Sequence, residues 1–285
     1  MVDADGGGRV NVQAALLTRD PILDLLRSCS IIHVILFHVL HGLLRFAPNE
    51  DTARIISDYP WCMNFTWQPI GVDVIFVISS YLLTKSLLGE IQTTNRVDVQ
   101  GYFVRRVSRI IPLYYIAVLL FAFAQGNSIG DTLLAFLFVE FLITGSAIVP
   151  VGWTMELMMY VYVALPAVAY GIMRTRRPFL WLALAIAASV AIRFVPLWDK
   201  PEVATTLFTH LLERDGVMDE ANDLYFKPWN RLTPFIIGIA LAALQFLRPS
   251  LYSTLTKARG LLLPLSAGLI IFALFLPIHD PQSWI

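Results

Sequence analysis

Apolar runs close to twenty residues long recur along this chain, at 22–46, 66–88, 103–124, 152–173, 178–197, 232–247 and 260–277. A helix needs about 20 such residues to cross a hydrocarbon core. In lipid the backbone must satisfy its own hydrogen bonds, so a chain patterned this way folds as a bundle of transmembrane helices. The composition agrees. Hydrophobic residues make up 57% and charged residues only 15%, against about 25% charged in a soluble domain. The 21 Lys+Arg cancel the 21 Asp+Glu, so no net charge directs the chain to nucleic acid. Cys29 lies in the first span and Cys62 in a loop. That spacing offers neither a disulfide framework nor a metal site.

Two polar stretches frame this pattern. Residues 1–18, with a Gly-Gly-Gly run, read as a disordered tail on the cytoplasmic side. They lack the charged start, apolar centre and cleavage site of a signal peptide, so the first span is expected to be retained. Residues 198–231 form a polar outer loop within the 19–285 membrane domain.

The segment 131–145, DTLLAFLFVEFLITG, is apolar but short, and it carries Glu140. Positive charge decides its path. If it crossed, Arg174, Arg176 and Arg177 would fall outside. If it does not, Lys85, Arg96, Arg105, Arg106, Arg109, Arg174, Arg176, Arg177, Arg248, Lys257 and Arg259 all fall inside. Only Arg45, Arg54 and the scattered cations of 198–231 are then left outside. The expected fold is an all-α polytopic bundle of about seven spans, with 131–145 re-entrant or interfacial. The amino terminus is expected inside and the carboxy terminus outside.

Ionisable residues inside such spans are costly, on the order of 3 kcal/mol for a central arginine. The first span nonetheless holds Arg27, His33 and His38. Arg27 and His38 are eleven residues apart, about 20° past three full turns, so they share a helix face roughly 16 Å apart. His33 points about 140° away from His38. In the second span Asp73 lies about 10 Å from the outer end, a depth similar to that of His38. An Asp73–His38 pair would fix the imidazole tautomer and leave its other nitrogen as a base. Plainer readings stand beside these. Arg27 could snorkel to headgroups, and Asp73 could cap its helix after Gly71.

These residues also carry a resemblance. Asp24, Arg27, Ser28, Phe37 and His38, then GVDVIFVISSYL at 71–82, resemble the acyltransferase-3 family of integral membrane acyltransferases. YFVRRVSRIIPLYY at 102–115 is similar too, with RxxR at Arg106 and Arg109 and an Arg-Ile-x-Pro turn at 109–112. VGWTMELMMYVYVALP at 151–166 extends the likeness. The resemblance implies an enzyme that moves an acyl group, usually acetyl, from cytoplasmic acyl-CoA to a hydroxyl of a carbohydrate or glycan on the far side. It implies plasma-membrane residence, no permanently bound cofactor, and about ten helices, some three more than this chain shows.

Carried over by position, His38, Asp73 and Glu156 become catalytic, and Arg27, Arg106, Arg109 and Ser79 bind the donor. Arg106 and Arg109, at i and i+3, share a helix face, and arginine holds phosphate bidentately. Three departures stand out. Ser79-Ser80 replaces the family's usual Ser-Gly, which adds a Cβ where close backbone approach is expected. The Trp-to-acid spacing is shortened, so that matching on Trp153 leaves Met158 at the acid position, while matching on ELMMY places Glu156 and Tyr160. The second match is preferred. The third departure is the length. Direct transfer and an acyl-histidine intermediate both remain open. The rival class is a proton-linked transporter or a non-catalytic membrane partner. The sequence is silent on oligomeric state.

Overall fold

The computed structural model describes residues 20–45, 70–192, 195, 227–258 and 260, with the side chains of the first segment described to Val39. The expected tail, the 46–69 loop with Cys62, most of the polar segment 198–231 and the last expected span beyond residue 260 lie outside these residues. Among the described residues the chain is all-α. The helices are α1 (Pro21–Arg45), α2 (Ile70–Thr94), α3 (Val99–Gln125), α4 (Ile129–Phe136), α5 (Glu140–Thr144), α6 (Gly152–Arg174), α7 (Pro178–Ile192), α8 (Leu232–Leu247) and α9 (Pro249–Lys257). A 3-10 turn, Pro228–Arg231, leads into α8. Stretches within α1, α2, α3 and α6, together with Pro228–Leu247, are long and apolar enough to cross a membrane, and α7 is a shorter apolar helix. Phe123 is 91% and Leu113 73% exposed, as suits a surface that meets lipid rather than water. The protein is an integral, multi-pass membrane helix bundle.

Helix α2 is the axis. It buries Phe76, Ile78, Ser80, Leu83, Thr84, Leu87, Leu88 and Ile91, on all sides, because α1, α6 and α8 pack around it. Its partners run in definable directions. Phe76 meets Leu157, whereas Leu83 to Ile91 meet Tyr162 to Ile172, so α6 runs parallel to α2. Asp73 meets Arg231, and the Phe76 ring stacks on Phe235 at 4.4 Å. Tyr81 then donates to Gln245 Oε1 at 2.7 Å, so α8 is parallel as well. Helix α1 is antiparallel, with Ser30, His33 and Val34 around Gly71 and Asp20 acting electrostatically on Tyr81.

This parity settles the path of 131–145. Parallel α2 and α6 require an odd number of crossings between them, and α3 supplies one. The intervening segment is also broken into α4 and α5, eight and five residues long. At 1.5 Å per residue these are about 12 and 8 Å, well short of the bilayer core. At the break, Phe138 takes a left-handed φ of 57°, costly for a bulky residue. Its ring is stacked on Tyr114 at 4.7 Å, and Tyr160 donates to its carbonyl at 2.8 Å. Tyr115 donates to the Phe136 carbonyl at 2.9 Å. Carbonyls freed by the break are thus bonded by neighbouring tyrosines, which is what lets irregular backbone lie at membrane depth.

Local chemistry sets the α2–α3 turn. Asn95 takes φ 56° after the last residue of α2, and Asp98 caps α3 by accepting from Gly101 N at 2.9 Å. The expected Arg-Ile-x-Pro turn at 109–112 is absent, because α3 runs through Pro112. Proline removes one helical hydrogen bond there, the one that Ser108 would have accepted. The family's Ser-Gly approach is met in another way. A Cβ on Gly238 would lie 2.1 Å from Ser80 Oγ and 2.3 Å from Val77 O. The close approach of α2 and α8 therefore survives Ser80, with the glycine moved to the partner helix. Gly238 and Ala242 form a small-xxx-small pair of the kind that lets membrane helices touch.

Candidate functional site

Two polar constellations lie at different levels of the bundle. The first joins α1, α3 and α6. Tyr102 donates to the Tyr162 carbonyl at 3.2 Å, both rings being buried. The Arg106 guanidinium lies 5.8 Å from the Tyr102 ring centroid. Arg27 and Arg106 both sit close enough to the Tyr162 phenol to act on it electrostatically. Neither arginine has a carboxylate partner among the described residues. Arg106 Nε is buried and lacks a hydrogen-bond acceptor. Arg109 is one turn on and exposed, while Arg105 is turned to Asp98 in an exposed 3.9 Å ion pair. Arg106 therefore faces the bundle and Arg109 its rim, although their spacing gives them one face. Ser79 is half-buried in the middle of α2.

The second constellation lies where α2, α6 and α8 begin. Arg231 Nη1 donates to both Asp73 oxygens at 3.1 and 3.4 Å. The Arg231 guanidinium lies 5.7 Å from the Trp153 ring centroid, and Trp153 meets Phe76 edge-on at 6.5 Å. Arg231 is only 4% exposed. The sequence places it only as the last cation of the polar segment 198–231. The signal that could have found it is its position on the first turn of an apolar helix, where a charge needs a partner.

This pairing corrects the expected Asp73–His38 contact. No hydrogen bond joins the two residues; the His38 ring is exposed and meets Phe37 edge-on at 5.1 Å. The reason is depth. Gly71 packs against Ser30, His33 and Val34, so α2 begins level with the middle of α1. His38 stands one to two turns beyond, about 6 to 12 Å. The histidine at the level of α2 is His33. A fixed guanidinium beside Asp73 also satisfies the carboxylate better than a neutral imidazole would.

A third group belongs to the re-entrant segment. Glu156 Oε1 accepts from Phe141 N at 2.9 Å, at the start of α5, and Tyr160 reaches its Oε2 at 3.3 Å. Glu140 Oε1 accepts from Ile148 N at 2.9 Å. Both carboxyls are 2% exposed. Burial, together with the nearby Glu156, pushes the Glu140 carboxyl up to about 7 despite the Ile148 N–H. Met158 packs against the apolar core. No group of three or more His, Cys, Asp or Glu side chains that could hold a metal ion occurs among the described residues.

Comparison with known proteins places this arrangement in context. The acyltransferase-3 model, an acyltransferase domain, matches residues 20–285. The chain is 27% identical over 110 residues to peptidoglycan O-acetyltransferase OatA of Listeria monocytogenes, covering 34% of this chain and 18% of that one. It is 34% identical over 80 residues to the putative peptidoglycan O-acetyltransferase YrhL of Bacillus subtilis, covering 26% and 13%. It is 36% identical over 84 residues to O-acetyltransferase OatA of Staphylococcus aureus, covering 27% and 14%. The matched segments span less than a fifth of each relative's length. No solved structure matches. With the family model matching almost from the start of α1 to the last residue, the chain belongs to the acyltransferase-3 family of membrane acyltransferases.

Proposed function

We propose that this chain moves an acetyl group from cytoplasmic acetyl-CoA to a hydroxyl of a glycan on the far side of the plasma membrane, with its amino terminus cytoplasmic. The observation that carries this reading is that Arg27 and Arg106 both act electrostatically on Tyr162 and have no carboxylate partner among the described residues. Two half-buried guanidiniums with no counter-charge among the described residues suit an external anion, and a CoA phosphate supplies one. Arg109 at the rim adds positive charge along the approach. Ser79, on the central helix, is assigned to the donor path. The names of the relatives, peptidoglycan O-acetyltransferases, support the acceptor class.

His38 is the proposed base. It takes the proton of the acceptor hydroxyl as that oxygen attacks the thioester carbonyl. The C–O bond forms, the C–S bond breaks, and the proton passes to the departing CoA thiolate. An acyl group resting first on His38 gives the same products in two steps, distinguished by a burst of CoA release without acceptor. Asp73 serves at the same end through Arg231, and Glu156 acts with Glu140 in holding the re-entrant segment closed. The test is acetyl-CoA binding and CoA release by the purified full chain. Failure to bind acetyl-CoA, or binding with no CoA release when glycan is present, refutes the reading.

A further inference from the structure

Tyr162 of α6 is 6% exposed. Its main-chain carbonyl accepts from Tyr102 at 3.2 Å, but its own hydroxyl makes no hydrogen bond among the described residues. A buried phenol ordinarily finds a hydrogen-bond partner, and leaving that bond unmade is costly. Arg106 of α3 shows the same deficit, since its Nε is buried without an acceptor. Arg106 and Arg27 of α1 are both half-buried, and both act electrostatically on the Tyr162 phenol. Side chains from three helices thus bring unmet donors to one region, and no carboxylate answers them among the described residues.

The chemistry missing here is an oxyanion with several acceptor oxygens. Guanidinium groups hold phosphate through parallel N–H···O bonds, and a phenol O–H adds a further charge-assisted bond. Position narrows the choice of phosphate. Arg106 is seven residues from the start of α3 and Tyr162 twelve from the end of α6, at the same end of the bundle. Those separations are about 10 and 18 Å along the helix axes. A phosphate that reaches so far between helices must be slim and carried on a flexible arm. In CoA the diphosphate is such a group, drawn inward by the pantetheine arm, whereas the 3′-phosphate sits on the bulky ribose. We infer that the Tyr162 hydroxyl is a further donor-binding group, which donates to the diphosphate of acyl-CoA alongside Arg27 and Arg106. The inference rests on the proposed function and adds to it a residue and a phosphate that the arginine spacing does not indicate. A phospholipid headgroup offers the same phosphate oxygens, and the test separates the two sources.

The variant is Tyr162→Phe, which keeps the ring and the carbonyl that Tyr102 bonds and removes only the hydroxyl. Wild type and variant, as full chains in maltoside micelles, are titrated with CoA, 3′-dephospho-CoA, inorganic pyrophosphate and phosphatidylglycerol. Affinity and thermal midpoint are read, and CoA release from acetyl-CoA is followed beside them. Without ligand, Tyr162→Phe should melt no lower than wild type, because it loses no hydrogen bond. Its binding of CoA should weaken about 10-fold, and its binding of 3′-dephospho-CoA by the same factor. Unchanged CoA affinity overturns the inference and leaves the proposed function intact. A loss seen with CoA but not with 3′-dephospho-CoA overturns the assignment to the diphosphate. A loss confined to phosphatidylglycerol gives the site to lipid and overturns the inference as well. A lower ligand-free midpoint with equal losses for every ligand makes the hydroxyl a structural group, which also refutes it. Binding of CoA and pyrophosphate that depends on Tyr162, with no CoA release when glycan is present, would instead sink the proposed function and leave the diphosphate site standing. A wild-type chain that binds neither CoA nor pyrophosphate ends both.

Discussion

Gly238→Ala should destabilise the bundle more than any other single methyl added to α8. A Cβ there would stand 2.1 Å from Ser80 Oγ, 2.3 Å from Val77 O and 3.0 Å from Tyr81 N. The serine hydroxyl can rotate away, but the Val77 carbonyl is part of the helix backbone and cannot. Ordinary contact with that oxygen requires the helices to separate by roughly 1 Å, and a gap of 0.5–1 Å forfeits a quarter to a half of each van der Waals well along the seam. Phe235, Ile239, Ala242 and Ala243 are all buried there. Overpacking of this kind costs about 1–3 kcal/mol, and the backbone clash argues for the upper part of that range. The assay is denaturant unfolding of the purified chain in detergent, for Gly238→Ala, Ser80→Gly and the double variant. Ser80→Gly should restore the double variant only in part, because the Val77 clash remains. Because Asp73 and Arg231 lie about two turns away on the same two helices, separation should also loosen that ion pair. A Gly238→Ala variant within about 0.5 kcal/mol of wild type would refute the argument. Complete rescue by Ser80→Gly would show that the backbones are not in contact.

Three further outcomes are expected. His38→Ala should abolish acetyl transfer while leaving insertion and acetyl-CoA affinity intact; turnover at the wild-type rate would remove His38 from the mechanism. Arg106→Ala should weaken acetyl-CoA binding about 10- to 100-fold, the loss of one charge-assisted hydrogen bond at about 1.5–3 kcal/mol, with Lys restoring only part. Arg105→Ala should change it little, and equal small losses at 105, 106 and 109 would indicate a diffuse charge cluster. Glu140 has its carboxyl raised to about 7 in the folded chain, so the folded state binds more protons than the unfolded between about pH 4.5 and 7. Stability should therefore fall as pH rises through that window, by on the order of 3 kcal/mol at most, and Glu140→Gln should flatten the profile. A pH-independent unfolding midpoint in the wild-type chain would contradict this.

Much of the architecture was legible because membrane folding is governed by length and charge, both of which are written along the chain. The helices long enough to cross, within α1, α2, α3, α6 and Pro228–Leu247, follow from runs of apolar residues near bilayer length. The failure of 131–145 to cross followed from where the arginines fall, and the parallel packing of α6 on α2 agrees with it. Arg106 was legible as a donor residue candidate through its spacing from Arg109. Spacing on one helix says which residues share a face, however, and not how deep that face lies. Only the packing of α3, through Tyr102, on Tyr162 of α6 separates a half-buried Arg106 from an exposed Arg109.

What the tertiary structure alone decided is every contact that depends on the relative height of two helices. Hydropathy locates a span to within a turn or so, and one turn is about 5.4 Å, more than the reach of a hydrogen bond. Counting from helix ends therefore put Asp73 level with His38, whereas Gly71 against His33 sets α2 lower. The partner Asp73 does find, Arg231, comes from 158 residues away along the chain, and no periodicity within either helix points to it. The exchange of a Gly for Ser80 is of the same kind. It looked like a lost close approach until Gly238 was found opposite, because closeness belongs to the pair of helices and only one of them needs the glycine.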